Sequence, residues 1–486
     1  MLLEETSRSL PGWALHPATA ILFILMVRAA LKTPHASGRL LIVVVWLRYV
    51  MQAYHEITYV DIGGVSANAI VSLSVCLAGG IILFRRLSEI GRLPIIVMLM
   101  ITVCLSGVLN GALQPTIETL LKWGFFGVVL LATVDCLRRD GDARILGLLL
   151  WSFAPAIVYQ ALSVGLGVGK ATESDGSISY IGGFNHEAAF SVVLITCLAV
   201  TTLVPRMHPV ARFSLLTVCL VGVVIANYRT SLIAAVPIIA GFMIFGMAHG
   251  LRPGRRIVVS LIGLLALMGA GVGASLVMDE RMGDVSVIAE QGGEIIKSPD
   301  AFTAEERKLL SGRVYLWNLY IQDYAAGTDR TLLLGYGADS WVEKFGLYAH
   351  NTLISYLYEF GFIGTLLLVL VWISMIVRAC SVADWTLRGQ LVSTHIGFIL
   401  LNMATMPFWM IEGLIFYGLL CGYTLAVTAR DRVPSPVAAP SSPVARRIYM
   451  KPESAAARRH AMLALREDHP NDRLLQRPSN ATEVET

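Results

Sequence analysis

Three side chains in this sequence have the chemistry to handle a phosphate leaving group and a hydroxyl nucleophile. Arg229 sits in Asn227-Tyr-Arg-Thr-Ser231, Arg313 in Ser311-Gly-Arg313, and His350 opens the run His350-Asn351-Thr-Leu-Ile-Ser-Tyr-Leu-Tyr-Glu-Phe-Gly361-Phe-Ile-Gly364-Thr365. A guanidinium presents a planar fork of donors that matches phosphate oxygens. An imidazole can take a hydroxyl proton near neutral pH. Each also has a plainer role, because an arginine near a helix end often reaches toward lipid headgroups and a histidine before a helix can simply cap it. Their weight as a group depends on whether the chain delivers them to one side of one surface.

That surface is a membrane. The chain has 486 residues, 55% hydrophobic and 15% charged, with a mean hydropathy of +0.66, too apolar for an ordinary soluble domain. A spanning helix needs roughly 20 apolar residues, and about thirteen segments qualify: 13–31, 40–55, 65–84, 93–110, 116–137, 144–164, 184–204, 211–226, 229–248, 257–278, 351–377, 387–405 and 409–429. The fold class expected is an all-α polytopic membrane protein of about 12 to 13 transmembrane helices. Glu4 and Glu5 precede the first apolar run and no small-residue cleavage site follows it, so that run reads as a retained helix.

Lys and Arg in short loops set the orientation. Alternate loops carry Lys32/Arg39, Arg85/Arg86/Arg92, Arg138/Arg139/Arg144, Arg206/Arg212, Arg252/Arg255/Arg256 and Arg378/Arg388, whereas the intervening ones carry only Lys170 and Arg229. The first set belongs in the cytoplasm. Arg229, the long polar segment 279–349 with Arg313, and His350 then fall together on the other side. The organisation expected is transmembrane helices over 1–278, an external lid over 279–349, further transmembrane helices over 350–429, and a disordered cytoplasmic tail over 430–486, rich in Pro, Ser, Ala and Arg. Within the external segment, 303–326 reads as a helix with Leu310, Val314, Trp317, Ile321 and Tyr324 on one face, before Gly335-Tyr-Gly337 breaks the pattern.

The formal net charge is only +4, and its basic residues serve topology, so no nucleic-acid partner is implied. The seven cysteines are scattered through apolar segments without metal-ligand spacing, which argues against a disulfide framework or a zinc site. Gly165 to Lys170 lacks the pattern of a phosphate loop and His186-Glu-Ala-Ala-Phe190 lacks the second histidine of a zinc-protease helix, so neither metal nor cofactor is expected. On the residues alone, two arginines and a histidine at a membrane surface suit a lipid-linked diphosphate as leaving group and a sugar hydroxyl as nucleophile. A transporter or flippase is the rival of another class, because Arg48 and Glu359 lie within spans and could line a pathway.

The spacing His350-Asn351, nine residues, then Gly361-Phe-Ile-Gly364-Thr365 resembles the histidine motif of the O-antigen ligase and polymerase superfamily. Three further segments agree in order: Gly183-Phe-Asn185-His-Glu-Ala188 before a helix, the turn Tyr228-Arg229-Thr230-Ser231 with Tyr for the usual Ser and Thr for the usual Gly, and Ser311-Gly-Arg313 through Trp317 to Gly335-Tyr-Gly337. The resemblance covers about residues 180 to 380. It implies a GT-C-like, metal-independent glycosyltransferase of the bacterial inner membrane, taking a glycan from undecaprenyl diphosphate on the periplasmic face. His350 would be the base or acceptor-orienting residue, and Arg229 and Arg313 the diphosphate binders. Asn185, His186, Glu187, Asn351 and Glu359 are candidates for acceptor or supporting roles. His186 and Glu187 can equally start a helix, and Glu359 can equally be the structural partner of an arginine. Arg48 is expected to pair with a carboxylate or line a polar cavity. Tyr315, Trp317, Tyr320, Trp341 and Tyr348 can stack on sugars, although their helical spacing suits packing of the lid. The acceptor stays open between lipid A core, as for a ligase, and the growing chain, as for a polymerase.

Overall fold

The computed structural model describes residues 9–62, 65–171, 178–248, 251–252, 254–263, 265, 297–303, 306–307 and 312–431. The helices described are α1 Gly12–Leu31, α2 Ala36–Ala53, α3 His55–Thr58, α4 Ala67–Ile82, α5 Pro94–Leu109, α6 Leu113–Asp140, α7 Asp142–Leu149, α8 Ala154–Gly165, α9 Glu187–Leu203, α10 Pro209–Ile225, α11 Arg229–Ile244, α12 Arg313–Ala325, α13 Asp329–Leu334, α14 Trp341–Phe345, α15 Thr352–Cys380, α16 Trp385–Asn402 and α17 Ile411–Asp431. The sheet described amounts to two small hairpins, β1 Asp61–Ile62 with β2 Val65–Ser66 and β3 Lys170–Ala171 with β4 Ile178–Ser179, both antiparallel. The protein is an all-α polytopic membrane protein.

Twelve of the thirteen expected segments coincide with described helices, while 257–278 lies largely outside the described residues, as do most of 279–311 and the tail from 432. By length and composition, seven described helices can cross a membrane, or eight if α4 and the 3-10 turn after it, bent by 96°, form one span. The count falls below thirteen because α5, α9 and α10 are only 16, 17 and 17 residues long. In addition α16 buries the polar side chains Gln390, Thr394 and His395.

The helices pack closely where side chains are small, as membrane interfaces without a hydrophobic driving force require. On α17, a Cβ at Gly418 would stand 2.9 Å from Val129 Cγ1 and one at Gly422 2.7 Å from Thr133 Cβ, so α6 lies directly against it. At one end of this pair Arg430 meets Asp142 at 2.6 Å. Nearby, Asp135 gathers Arg86 at 2.6 Å and Arg139 at 3.0 Å.

Arg48 fulfils the expectation of a carboxylate partner. Its Nε donates to Glu412 at 2.5 Å, and its other nitrogens donate to Asn68 and, at 3.0 Å, to Tyr59. Gln52 adds a donation to Glu412 at 2.6 Å. Both charges are buried, and removing one member of such a pair strands the other in a medium that cannot solvate it, at a cost of about 3 to 5 kcal/mol. Arg48→Met is therefore expected to lower the midpoint of thermal unfolding in detergent by several degrees, read by fluorescence-detected size exclusion. An unchanged midpoint would refute the assignment.

Within the span 303–326 expected to be one helix, α12 starts at Arg313, and most of 304–311 lies outside the described residues. Gly312 stands before it at φ 80°, a left-handed turn that starts rather than continues a helix. Of the predicted stripe, Val314 is buried and Trp317 and Tyr324 pack half-buried against Tyr320, Ala349 and Tyr358, while Leu310 lies outside the described residues; Asn318 and Tyr320 are buried in addition. Asn318 lies inside because its amide donates to Val314 O at 2.9 Å and its oxygen accepts from Lys297 N at 3.1 Å.

Candidate active site

His350 is held by what flanks it. Trp317 Nε1 donates to Ala349 O and Tyr320 OH to Leu347 O, both at 2.7 Å, so two aromatic side chains of α12 grip the backbone that leads into the histidine. These aromatics are structural here, as the lid-packing reading expected. His350 itself takes φ +52°, in the left-handed region, a conformation non-glycine residues keep only when their surroundings impose it. The next residue, Asn351, caps α15: its oxygen accepts from Leu353 N at 2.9 Å and Ile354 N at 3.2 Å, while its nitrogen donates to Met403 O at 3.0 Å. Thr352 donates to Asn402 Oδ1 at 2.8 Å. Thr405, in the same connection between α16 and α17, meets Tyr228 OH at 2.7 Å. The starts of α11 and α15 are thus tied to one loop.

The imidazole has three neighbours of consequence. The ring of Tyr348 lies 4.2 Å from it, centroid to centroid, at 42°. Tyr348 OH in turn reaches His186 Nε2 at 3.3 Å. His186 caps α9, its Nδ1 accepting from Ala188 N at 3.0 Å, which puts the proton of the neutral ring on Nε2, facing Tyr348. Burial, then the charge of Arg313, then His186 push the His350 pKa down to about 3. His350 is therefore neutral at physiological pH and free to accept a proton.

Tyr228 joins the cluster electrically. Burial raises its phenol pKa, the Thr405 hydrogen bond and the Arg313 charge oppose that, and the Glu187 carboxylate adds to it. Glu187 pairs with Lys170 at 3.3 Å, and Lys170 also donates to Asn185 O at 3.4 Å.

His350, Arg313, His186 and Glu187 are thus brought together, with Asn351 as the helix cap beneath and Asn185 contributing its backbone carbonyl. Arg229 opens α11 beside Tyr228 and is exposed; no contact joins its guanidinium to His350. Among the described residues, neither Arg229 nor Arg313 has a hydrogen-bonding or ion-pair partner. Among the same residues no group of three or more His, Cys, Asp or Glu is arranged to hold a metal ion.

Glu359 belongs to a different construction. Its carboxylate accepts from Asp339 N at 3.0 Å, with no arginine on it among the described residues, and its carbonyl accepts from Gly337 N at 2.9 Å and Ser106 Oγ at 3.0 Å. Tyr336 N donates to Tyr358 O at 2.9 Å. Those carbonyls are available because α15 breaks at Gly361, φ 68°. The glycines of both motifs, Gly335-Tyr-Gly337 and Gly361-Phe-Ile-Gly364, thus let two backbones cross in contact. A Cβ on Gly335 would lie 2.3 Å from Glu359 C, and one on Gly361 2.4 Å from Leu333 C.

Tyr228, Thr405, Tyr348 and Lys170 were not singled out for the site by sequence reasoning, apart from Tyr348 as a possible stacking surface. Their partners lie 177, 162 and 17 residues away for Tyr228–Thr405, Tyr348–His186 and Lys170–Glu187, and no local pattern carries that information.

Residues 213–369 match the family described as O-antigen ligase. That match, over about a third of the chain, supports a place in the O-antigen ligase superfamily. The matched region starts in α10 and ends in α15, taking in Arg229, Arg313, His350 and the glycine crossing; Lys170, Asn185, His186 and Glu187 lie outside it. The match supports a glycosyltransferase-like activity of ligase or polymerase type in a multi-pass membrane protein. No curated protein matches the chain.

Proposed function

We propose that the protein transfers a glycan from undecaprenyl diphosphate to an acceptor hydroxyl at the periplasmic face of the bacterial inner membrane, as an O-antigen ligase does. The observation that carries this reading is a neutral His350 beside Arg313, a guanidinium with no counter-ion among the described residues. In the reaction the acceptor oxygen attacks the anomeric carbon, the bond from that carbon to the diphosphate oxygen breaks, and the electron pair leaves with the diphosphate. The acceptor proton passes to His350. Proton affinity there is low while only Arg313 is near and rises once the donor's negative charge arrives, so the base gains strength when substrate is present. Arg313 and Arg229 stabilise the charge that develops on the departing diphosphate, the role that divalent cations fill in other diphosphate chemistry. Lipid A core is the acceptor of the ligase reaction; a growing polysaccharide would make the same chemistry a polymerase.

Losing one fixed contact to a developing oxyanion typically costs about 2 to 4 kcal/mol, so Arg313→Ala is expected to slow transfer roughly a hundredfold or more. The test is surface polysaccharide on gels from cells expressing Arg313→Ala and Arg229→Ala at wild-type levels. Unchanged long-chain glycan in both would overturn the proposal. If glycan is lost, full-length chains accumulating on undecaprenyl diphosphate indicate a ligase and single repeat units a polymerase. A periplasm-active reporter fused near residue 300 is expected to be active and one near residue 440 silent; the reverse would put His350 on the wrong face.

A further inference from the structure

The pair Lys170–Glu187 has no role in the chemistry above, yet it sits on the site. Nζ of Lys170 straddles the two carboxylate oxygens at 3.3 and 3.4 Å, a loose geometry, and the two side chains are only 17% and 13% exposed. A pair this sheltered gains little over apolar packing, so its place is better explained by what it faces. Glu187 flanks His186, which reaches Tyr348 against His350, and Glu187 and Arg313 both act on the Tyr228 phenol. Among the described residues, Lys170 is paired with Glu187, Arg313 acts on the same Tyr228 phenol as Glu187, and Arg229 opens α11 beside that phenol. Three cations against the one Glu187 carboxylate leave an excess of two positive charges, equal to the two negative charges of an ionised diphosphate diester.

We infer that Lys170 is a further cation for the donor's diphosphate, and that Glu187 is the resident counter-ion from which Lys170 turns when the donor binds. The inference rests on the proposed function, since it names the donor of that same site. Glu187 holds the Lys170 ammonium and compensates its charge; on binding, phosphate oxygens compete for that ammonium. Glu187 thus opposes donor binding while keeping the lysine in place. Its removal and the removal of Lys170 must act in opposite directions, which a purely structural ion pair would not do.

The experiment uses the full chain in phosphatidylcholine nanodiscs. Affinity for undecaprenyl diphosphate and for undecaprenyl monophosphate is measured by thermophoresis for wild type, Lys170→Ala, Lys170→Arg and Glu187→Gln. Lys170→Ala is expected to weaken diphosphate binding by about tenfold, the scale of one charge-assisted contact, and to affect the monophosphate less. Lys170→Arg should stay near wild type, and Glu187→Gln should bind diphosphate several times more tightly. Weakening by Glu187→Gln to the level of Lys170→Ala would overturn the inference, as would equal binding by wild type and Lys170→Ala. A wild-type protein that binds no undecaprenyl diphosphate would overturn the proposed function and this inference with it.

Discussion

His350→Ala lowers the rate of glycan transfer by about 10²- to 10⁴-fold, the range expected when a positioned general base is lost, with little change in donor affinity. That split is expected because the arginines proposed to bind the diphosphate lie on α11 and α12 whereas His350 lies on the segment entering α15. Single-turnover transfer at saturating donor, beside a donor-binding isotherm, measures the two parts. Normal transfer by the variant would remove His350 from the chemistry. The pH dependence follows from the same environment. With its pKa near 3 in the folded chain, His350 stays neutral from pH 7 down through pH 5, so the rate at low donor concentration has no acid limb near 6.5 from this group. In the occupied site the diphosphate raises the pKa, so the saturated rate acquires an acid limb at higher pH than the unsaturated one. An acid limb near 6.5 at low donor concentration, absent from the His350→Gln variant, would show that the free-site histidine titrates normally. For stability the sign runs the same way: between about pH 3 and 6.5 the unfolded chain binds this proton and the folded one does not, so stability falls as pH drops through that window.

Gly361→Ala is the change with the largest expected effect on folding. A methyl there would have to sit 2.4 Å from the carbonyl carbon and oxygen of Leu333, and the backbone at φ 68°, ψ −169° is one that only glycine adopts freely. The neighbour is main chain, which cannot rotate aside, so relief requires undoing the donations from Tyr336 N and Gly337 N to Tyr358 O and Glu359 O. The strain alone is worth about 1 to 3 kcal/mol, and lost hydrogen bonds add about 1 kcal/mol each. The expected outcome is a large fall in folded yield after detergent extraction. Gly346→Ala is the control, since it also has positive φ, at 67°, but meets nothing within 4 Å of an added Cβ; it should cost only the conformational part. Equal folded yields for the two variants would argue that the crossing is dispensable.

The helices were legible because burial in hydrocarbon demands a long apolar run, which is a local property of the chain. Arg48 was legible as a residue that must be paired, since a lone guanidinium in a span is costly; the identity of its partner was not, because Glu412 comes 364 residues later. The histidine motif was visible as spacing, yet its glycines could not declare that they serve a backbone crossing, because the other half is Gly335, brought into contact only by the fold. The start of α12 was misread because apolar periodicity runs through Gly312, where the chain in fact turns left-handed. Lys170 entered only as a loop charge in the orientation count, and Glu359 stood equally as an acceptor-site residue or the partner of an arginine; a hairpin and a main-chain amide, neither written as a side-chain pattern, decide their contacts.

The crossing at Gly335 and Gly361 also fixes one side of the proposed site. The segment 335–349 is stitched to Tyr358 and Glu359 at one end and gripped by Trp317 and Tyr320 at the other, then runs straight into α15. It is a fixed wall rather than a flap, and lifting it would cost both sets of bonds at once.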